Sequence, residues 1–293
     1  MINFTIFTPT YNRADELKRC YESLLNQNFH NFEWIIIDDG STDNTSNIVE
    51  SFKINATFNI KYIYQENSGK QAAWNRAIDL ASYDYFLGLD SDDMLYPNSL
   101  LALSKKIDAF EDDEIIGIRA LSISSDTKKL TNYFLLDTEA KASWFDEFKS
   151  GKHGERIDLF KTKLIQQFKY PVKKNTKFIP EIWLYSNISK SYKFKYLPII
   201  VRVFFDDNPN NRLSRTSLIE HATGHFIARK SLLENTPLTV WLSRPIDLLK
   251  SAIRLHQTIR ILNIKRIEFS NRAFLLNIIT LPAITLNKIG LKK

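Results

Sequence analysis

Short apolar runs alternate with segments of helical periodicity along roughly the first ninety residues of the chain. The predicted strands are Phe4–Thr8, Glu33–Ile37, Ile60–Tyr64 and Tyr85–Leu89. The second run is almost continuously apolar, which is typical of a strand buried on both faces of a parallel sheet. Asn12 and Asp43 are predicted to cap the helices that follow the first two strands. This alternation predicts an α/β fold with a doubly wound, mostly parallel sheet and right-handed crossovers.

Three polar clusters lie where predicted strands end: Pro9–Arg13, Asp38–Asp43 and Asp90–Asp93. In doubly wound sheets, ligands bind at the carboxyl ends of the strands, near the point where the strand order reverses. The clusters therefore predict one polar site of nucleotide size. Neither G-x-G-x-x-G nor G-x-x-x-x-G-K-[ST] occurs, so the sequence favours neither a dinucleotide fold nor a P-loop. The charge of a diphosphate would have to be met by a metal and by basic side chains.

The third cluster places three carboxylates within four residues, directly after an apolar run. Burying like charges costs several kcal/mol each unless a cation compensates them. Asp90 and Asp92 are two residues apart and project to the same side of an extended chain. Carboxylate ligands of this kind favour Mg²⁺ or Mn²⁺. A solvated acidic turn leading into Pro97 is the alternative, which the presence of the other two clusters disfavours.

Composition limits the classes of protein that fit this sequence. With 293 residues, of which 44% are hydrophobic and 13% aromatic, the chain can form one large α/β domain or two small ones. Cys20 is the only cysteine, so no intrachain disulfide can form and a reducing compartment is expected. We expect neither a signal peptide nor a transmembrane helix, because no basic and apolar leader and no run of eighteen apolar residues occur.

The net charge of +7 is concentrated in the last part of the chain. From Arg229 onward there are 12 basic and 3 acidic residues, whereas the preceding 228 residues hold 28 basic and 30 acidic residues. A nucleic-acid enzyme would more often spread its basic residues around its active site, so we expect no nucleic-acid partner. A basic segment next to apolar residues suits an anionic membrane surface instead.

The basic tail contains one clear amphipathic pattern. Its apolar stripe is formed by Leu248, Ala252, Leu255, Ile259 and Leu262. A second apolar segment, Ala273–Leu286, is too short and too polar to span a bilayer. Two interpretations stay open, namely helices that pack back on the rest of the protein or a basic anchor at the membrane surface. We favour the anchor.

Four motifs, in this order, closely resemble those of the family 2 glycosyltransferases of the GT-A fold. They are Thr8-Pro-Thr-Tyr-Asn-Arg13, Asp38-Asp-Gly-Ser-Thr-Asp43, Glu66-Asn-x-Gly69 followed by Arg76, and Asp90-Ser-Asp-Asp93. The second half is similar to one bacterial subgroup through Gly154-Glu-Arg156 and Lys177-Phe-Ile-Pro-Glu181. The resemblance implies a GT-A domain at 1–228, with a nucleotide-sugar half at 1–115 and an acceptor half at 116–228. A basic, helical C-terminal extension at 229–293 would follow.

The resemblance also implies roles for individual residues. Asp39 and the Pro9–Tyr11 segment would hold the nucleotide base, usually uracil. A carboxylate can accept a hydrogen bond from the imide N–H of uracil. Asp90 would meet the ribose and Asp92 would bind the metal on the diphosphate, while Asp93 shapes the site. The full set implied to bind the nucleotide is Pro9, Thr10, Tyr11, Arg13, Asp38, Asp39, Asn67, Gly69, Lys70, Arg76, Asp90 and Ser91.

Some of these roles have alternatives. Asp38 faces either the ribose or the fold. The family usually has Ala-Arg-Asn where this chain has Ala73-Trp-Asn-Arg76, so Arg76 contacts either a phosphate or a partner in a helix-surface salt bridge. Arg212 and Arg215 belong to a basic loop that either folds over the diphosphate or stays exposed.

The resemblance implies inverting transfer, in which a carboxylate takes the proton of an acceptor hydroxyl as the nucleoside diphosphate leaves. The Glu-Asp pair that often carries this base does not occur in the second half of the chain. Glu181, at the start of a predicted helix, is the candidate base, and a carboxylate that only stabilises the helix start is the alternative. Glu155 and Asp158 are reserve candidates. Glu155 and Arg156 form either an internal ion pair or an acceptor contact.

The predicted function is inverting transfer of a hexosyl or N-acetylhexosaminyl group from a nucleotide-diphosphate sugar, with UDP as the expected nucleotide. The acceptor would be a glycan or lipid-linked hydroxyl of a bacterial surface polymer, and Mn²⁺ or Mg²⁺ would assist. A sugar nucleotidyltransferase is one alternative, although the Pro9–Arg13 segment lacks the Gly-rich triphosphate loop that it needs. A non-catalytic, membrane-anchored scaffold that binds nucleotide sugars is another. The expected location is cytoplasmic, with peripheral contact at the inner face of the cell membrane.

Overall fold

The apolar runs of the sequence form the strands of one mixed sheet. A computed structural model describes residues 2–107, 112–152, 154–174, 176–206 and 218–265. The strands in these ranges are β1 (Phe4–Thr10), β2 (Phe32–Asp38), β3 (Asn59–Tyr64), β4 (Tyr85–Gly88), β5 (Met94–Leu95), β6 (Ile115–Ser124), β7 (Ala140–Ala142), β8 (Arg156–Lys161) and β9 (Lys193–Phe204). The helices in the same ranges are α1 (Ala14–Leu25), α2 (Thr45–Asn55), α3 (Lys70–Leu80), α4 (Ser99–Ser104), α5 (Trp144–Ser150), α6 (Thr162–Ile165), α7 (Ile182–Ile188), α8 (Ala222–Asn235), α9 (Leu238–Ser243) and α10 (Pro245–Ile261).

The strand order is β3-β2-β1-β4-β8-β6-β9-β5, with β7 paired to β9. Strands β3, β2, β1 and β4 run parallel, whereas β8 runs antiparallel to both β4 and β6. β1 is flanked by β2 and by β4, so the strand order reverses at β1. This reversal puts the carboxyl ends of β1, β2 and β4, with their polar clusters, at one edge of the sheet. The predicted doubly wound, mostly parallel sheet is confirmed.

Helices cover both faces of the sheet, and each face has its own apolar cluster. Phe7 and Ile35 belong to the cluster that includes residues of α3, α7, α8 and α10. Ile6 and Trp34 belong to the cluster on the side of α1, α2 and α4. Successive strand residues point to opposite faces, which is why β2 is buried along its whole length.

The first two helices are held at their starts by Asp43 rather than by Asn12. Asp43 Oδ2 accepts a hydrogen bond from the backbone N–H of Ala14 at 3.1 Å, and its Oδ1 accepts from that of Thr45 at 3.1 Å. Asn12 has a left-handed backbone (φ 49°), and its side-chain oxygen accepts from the N–H of Thr42 at 2.8 Å. The prediction that Asn12 caps α1 is therefore wrong, because its side chain joins two loops instead.

The described part of the basic tail packs on the rest of the molecule. The boundary predicted between residues 228 and 229 falls inside α8, and residues on both sides of it share one apolar cluster. Leu248, Ala252 and Leu255 of the predicted stripe are buried in that cluster. The stripe itself therefore packs on the protein, as the first of the two interpretations requires, and contact of the tail with a membrane surface stays a prediction. The segment 273–286 lies outside the described residues. None of the described helices is both long and hydrophobic enough to cross a bilayer.

Candidate active site

Asp39 follows β2 and holds the loop that leads into α3. Its Oδ1 accepts hydrogen bonds from Gln65 Nε2 at 2.7 Å and from the backbone N–H of Ser68 at 2.8 Å, and its Oδ2 accepts from that of Gly69 at 2.7 Å. The N–H of Asp39 donates to the carbonyl of Thr10 at 2.8 Å. A carboxylate has about four lone-pair positions, so three donors leave room for one more. Asp39 thus joins the end of β1 to the loop before α3.

Asp38, the last residue of β2, serves the fold. It is 1% exposed. Its Oδ1 accepts from the backbone N–H of Ser41 at 2.7 Å, and its Oδ2 accepts from the Tyr62 hydroxyl at 2.6 Å. Burial and the neighbouring Asp38 carboxylate raise the pKa of Tyr62, so the phenol stays a donor. Of the two roles left open for Asp38, the contact with the fold is the one present in this structure.

Gly69 allows the loop before α3 to touch a loop from the second half of the chain. Its φ is 93°, in the left-handed region that glycine tolerates best. A Cβ at this position would collide with the backbone carbonyl of Lys177. This close approach brings Lys70, the next residue, near Glu181.

Three carboxylates after β4 form the centre of the site. Oxygen atoms of Asp90, Asp92 and Asp93 all lie within 4.8 Å of one another. Lys70 Nζ lies 2.8 Å from Asp90 Oδ1 and 3.3 Å from Glu181 Oε1. Lys70 therefore links the carboxylate cluster to the candidate base across the mouth of the site.

Two arginines contact the other carboxylates of the cluster. Arg13 NH1 lies 2.5 Å from Asp92 Oδ2, so the segment after β1 reaches the carboxylates after β4. Arg202 of β9 lies 3.1 Å from Asp93 Oδ2 and 3.0 Å from Glu155 Oε2. Each carboxylate of the cluster thus has a cation supplied by a different element.

Burial and charge set the protonation of this cluster. Burial raises the pKa of Asp93 to about 7; Arg202 opposes this shift, whereas Asp90 and Asp92 add to it. Burial also raises the pKa of Asp90, but attraction to Lys70, with help from Arg202 and Arg13, brings the net pKa below its usual value. Like charges held this close favour a bound cation.

The donor set of the cluster fits a hard divalent cation. Its ligand atoms are carboxylate oxygens alone, as Mg²⁺ and Mn²⁺ prefer. Asp93 Oδ2 is buried and accepts no hydrogen bond, although it lies 3.1 Å from Arg202 NH1. Asp90 and Asp92 are the predicted ligands, and the structure adds the buried Asp93 beside them.

A cavity that is partly open to solvent lies behind Asp90, between the sheet and helices α3 and α7. Its wall combines aromatic rings with charged groups. The lining residues are Phe7, Pro9, Lys70, Gln71, Trp74, Gly88, Leu89, Asp90, Glu155, Arg156, Ile157, Asp158, Phe160, Tyr170, Glu181, Leu184, Tyr185 and Arg202. Aromatic faces beside carboxylates and cations suit a ligand that has both apolar faces and hydroxyl groups, such as a sugar.

A buried network of charges supports the floor of this cavity. Arg119 Nε lies 3.4 Å from both Glu147 Oε2 and Asp158 Oδ1. The Tyr185 hydroxyl donates to Asp158 Oδ2 at 2.7 Å, and the Tyr196 hydroxyl donates to Glu147 Oε2 at 2.9 Å. Burial raises the pKa of Asp158, with Arg119 and Tyr185 opposing the shift.

Sequence reasoning missed most of this network. Its members come from β6, α5, β8, α7 and β9, so no local motif contains them. The usable signal is a charged residue inside an apolar strand, because such a charge needs a buried partner. Arg119 within Ile115–Ser124 and Asp158 within Arg156–Lys161 both give that signal.

The remaining predicted nucleotide residues lie around the same edge with different exposures. Pro9 lines the cavity, whereas Thr10 and Ser91 are buried. Tyr11 is 43% exposed. The backbone of Asn67 packs against Gly40, where a Cβ would lie 3.0 Å from the Asn67 nitrogen.

Several predictions about basic residues change. Arg76 is exposed and donates to the carbonyl of Tyr64 at 3.2 Å, so it forms no helix-surface salt bridge with a described residue, and its phosphate contact stays a prediction. Arg156 donates to the carbonyls of Arg119 and Phe134. Of the two alternatives for Glu155 and Arg156, the internal ion pair does not form, because Glu155 pairs with Arg202, and the acceptor contact stays a prediction. Predictions for Arg212 and Arg215 lie outside the described residues.

The sequence comparison gives the class of protein. Residues 5–170, more than half of the chain, match the family described as Glycosyl transferase family 2. The chain belongs to this family.

Curated relatives align over about two fifths of the chain. Glycosyltransferase GlyG of Streptococcus pneumoniae serotype 4 is 34% identical over 114 residues, which are 39% of this chain and 38% of the relative. The minor teichoic acid biosynthesis protein GgaA of Bacillus subtilis is 41% identical over 125 residues, which are 41% of this chain and 27% of the relative. The aligned part therefore spans well under half the length of these relatives.

Solved structures match almost the whole chain. Staphylococcus aureus TarS, residues 1–349, superposes with a TM-score of 0.65 at 16% identity, covering 99% of this chain and 92% of that one. The mannosyltransferase PcManGT of Pyrobaculum calidifontis gives 0.55 at 16% identity, covering 97% and 80%. At this identity the likeness shows the fold alone. It confirms the predicted GT-A fold.

Proposed function

We propose that this protein transfers a sugar from a nucleotide-diphosphate sugar to the hydroxyl of a glycan or lipid-linked acceptor, with inversion at the anomeric carbon. The observation that carries the proposal is the cavity behind Asp90, whose mouth is formed by Lys70 and Glu181. Membership of family 2 supports this activity over a sugar nucleotidyltransferase or a non-catalytic scaffold.

The donor is proposed to be UDP-linked. Asp39 keeps one lone-pair position for a donor such as the N–H of uracil, and it lies beside the Pro9–Tyr11 segment. TarS has been solved in complex with UDP and with UDP-GlcNAc, which supports the same nucleotide here. Lys70, Arg13 and Arg202 supply positive charge around the position where a diphosphate would lie.

Asp90 and Asp92 are proposed to hold Mn²⁺ or Mg²⁺, with Asp93 beside them. The PcManGT structure contains Mn²⁺, which supports a metal in a fold of this kind. When bound, the cation would stabilise the negative charge that develops on the leaving diphosphate. Side chains of this protein would bind the donor, orient the acceptor and take its proton.

Glu181 is proposed to take the proton of the acceptor hydroxyl. Its side chain is 53% exposed at the start of α7, so an acceptor can approach it, and it faces the cavity with Asp90. Lys70 lies between the two carboxylates and would hold Glu181 in the orientation that a general base needs. Asp158, deeper in the same cavity, stays the reserve candidate.

The acceptor is proposed to belong to a bacterial surface polymer. Support comes from GgaA, whose name places that relative in minor teichoic acid biosynthesis.

Turnover of nucleotide sugars by two variants tests this proposal. With Mn²⁺ present, the protein should release UDP from one member of a panel of UDP-sugars, through transfer or slow hydrolysis. Asp92→Asn should lower this rate by roughly a thousandfold because it weakens the metal site. Glu181→Gln should lower transfer by a factor of about 10² to 10⁴ while donor affinity, measured by calorimetry, is retained.

Asp126→Asn is the matched control, since Asp126 is an exposed carboxylate in the turn after β6. It should behave like the unchanged protein. Equal turnover of the protein and of Asp92→Asn would reject the metal site. Normal transfer by Glu181→Gln would show that another residue is the general base, and Asp158→Asn would be the next variant to measure.

A further inference from the structure

The corner between α9 and α10 exposes three large apolar side chains. Leu238, Leu242 and Ile246 are 67%, 77% and 66% exposed. Leu238 and Leu242 are four residues apart and share one face of α9, whereas Val240 between them is buried. Exposed apolar residues that occur singly are ordinary, but a group of them marks a surface that contacts something.

α10 continues this surface on the side opposite its buried stripe. With 3.6 residues per turn, Ile246, Lys250 and Arg254 fall within about 80° of arc. Leu248 and Leu255, which are buried, lie about 180–200° away from Ile246. The exposed face of α10 therefore mixes isoleucine with basic side chains.

The positive charge of this face is not neutralised by the described residues. Residues 229–265 contain seven basic and two acidic side chains. Both acids are already paired, Glu234 with Lys230 at 3.6 Å and Asp247 with Arg244 at 3.7 Å. The exposed cations without a carboxylate partner in the described ranges are Lys250, Arg254, Arg260 and Lys265.

We propose that the α9–α10 face, defined by Leu238, Leu242, Ile246, Lys250 and Arg254, docks on an anionic lipid surface. The apolar side chains would enter the boundary between headgroups and acyl chains, while the cations contact lipid phosphates. Charge complementarity selects this occupant, because the face carries cations that lack acidic partners within the part of the chain that the structure describes. The proposal does not depend on the transferase activity, since it concerns a surface that shares no residue with the cavity.

Flotation of the full-length protein with lipid vesicles tests this surface. At low ionic strength the protein should float with phosphatidylcholine vesicles that contain phosphatidylglycerol, and it should stay soluble with phosphatidylcholine alone. Raising the salt concentration should weaken the binding. Two variants, Leu238→Ser/Leu242→Ser/Ile246→Ser and Lys250→Glu/Arg254→Glu, should each lower the partition coefficient by roughly tenfold or more.

Matched control variants distinguish binding through this surface from nonspecific binding to vesicles. Ile54 on α2 is 82% exposed, so Ile54→Ser removes a comparable apolar side chain elsewhere. Lys128→Glu/Lys129→Glu makes the same charge change at two exposed lysines in the turn after β6. Both controls should float like the unchanged protein. Circular dichroism and thermal unfolding confirm that every variant is folded.

Three results would overturn the proposal. One is recovery of the unchanged protein in the soluble fraction with all vesicles. Another is equal flotation of the protein and both face variants, which would place lipid binding on other basic residues, such as those beyond residue 265. The third is a concentration-dependent dimer in sedimentation velocity that both face variants abolish, because the face would then join two copies of this chain.

Discussion

Two clusters of charged side chains border the same cavity, one through Asp90 and the other through Asp158. The two clusters differ in how far their carboxylates are exposed. At the sheet edge, the side chains of Asp90 and Asp92 are 36% and 13% exposed and each contacts a separate cation. Behind the cavity, Glu147 and Asp158 are 1% and 6% exposed and share Arg119. Partly exposed pairs can exchange their cation for a ligand, whereas fully buried pairs cannot be opened without cost. The difference supports the ligand-binding role proposed for the edge cluster and a supporting role for the inner one.

The largest effect is expected from breaking the inner cluster. Glu147→Ala would remove the carboxylate that pairs with Arg119 and accepts the hydrogen bond of the Tyr196 hydroxyl. Loss of one member of a buried ion pair typically costs about 3–5 kcal/mol. Urea unfolding followed by circular dichroism measures this change. Glu50→Ala, which breaks an exposed pair with Lys53, is the control and should change stability by less than about 1 kcal/mol. Equal losses in the two variants would contradict the comparison.

A half-buried histidine, His225, extends the comparison to a titratable group that has no carboxylate partner among the described residues. Burial lowers the pKa of His225 to about 4, and Arg229, Arg254 and His221 act in the same direction. Its usual value is 6.5, so between pH 6.5 and about 4 the unfolded chain binds the proton more tightly. Stability should be fully present above pH 6.5 and fall as the pH drops through this window, by on the order of 1–3 kcal/mol.

The test is to measure the unfolding free energy of the protein and of His225→Gln from pH 7 to about pH 4. It shows whether protonation of His225 causes the loss of stability. The variant should lose less stability over this interval. The matched control is His30→Gln, because His30 is exposed. Parallel curves for the protein and His225→Gln would show that His225 is not held neutral.

A smaller effect is expected from one hydroxyl of the inner cluster. Tyr185→Phe removes the donor to Asp158 Oδ2 and should lower the unfolding free energy by about 1–2 kcal/mol. It should also raise the pKa of Asp158 further, because that hydrogen bond stabilises the carboxylate. Chemical denaturation measures the first effect. Tyr133→Phe at an exposed position is the control, and a loss as large there would count against the network.

The smallest change in stability is expected at the edge. Asp92→Ala removes the partner of Arg13 but also relieves repulsion from Asp90 and Asp93. These terms oppose each other, so unfolding free energy should change by less than about 1 kcal/mol in either direction. Thermal unfolding without divalent cations gives the answer. A loss as large as that expected for Glu147→Ala would mean that the two clusters do not differ in kind.

Periodicity was sufficient for the first half of the fold because its strands and helices are close in sequence. Ile6 and Phe7 face opposite clusters, as an alternating pattern requires, and the continuous run in β2 is buried on both sides. The edge site followed from topology, since parallel strands bring Asp38 and Asp90 to the same end of the sheet. These predictions needed only local pattern and one rule about strand ends.

The inner cluster and the tail could not be predicted in the same way. Glu147 and Asp158 meet Arg119 only after β8 inserts between β4 and β6. The stripe of α10 was visible, but its partner is α8, and periodicity alone does not distinguish a protein partner from a lipid surface. Asn12 was mistaken for a cap because its tertiary contact with Thr42 is not a local signal.

The contact between Gly69 and Lys177 has a mechanical consequence. No side chain fits between these backbones, so a shift of the loop that carries Glu181 would press on the loop that carries Asp39's donors. An acceptor that shifts residues 177–181 would therefore displace the loop beside Asp39, the proposed contact of the nucleotide base. The two substrates would then influence each other through the contacts between these loops, which include the Gly69–Lys177 approach, the Lys70–Glu181 ion pair and the hydrogen bond from the Ile179 N–H to Gln71.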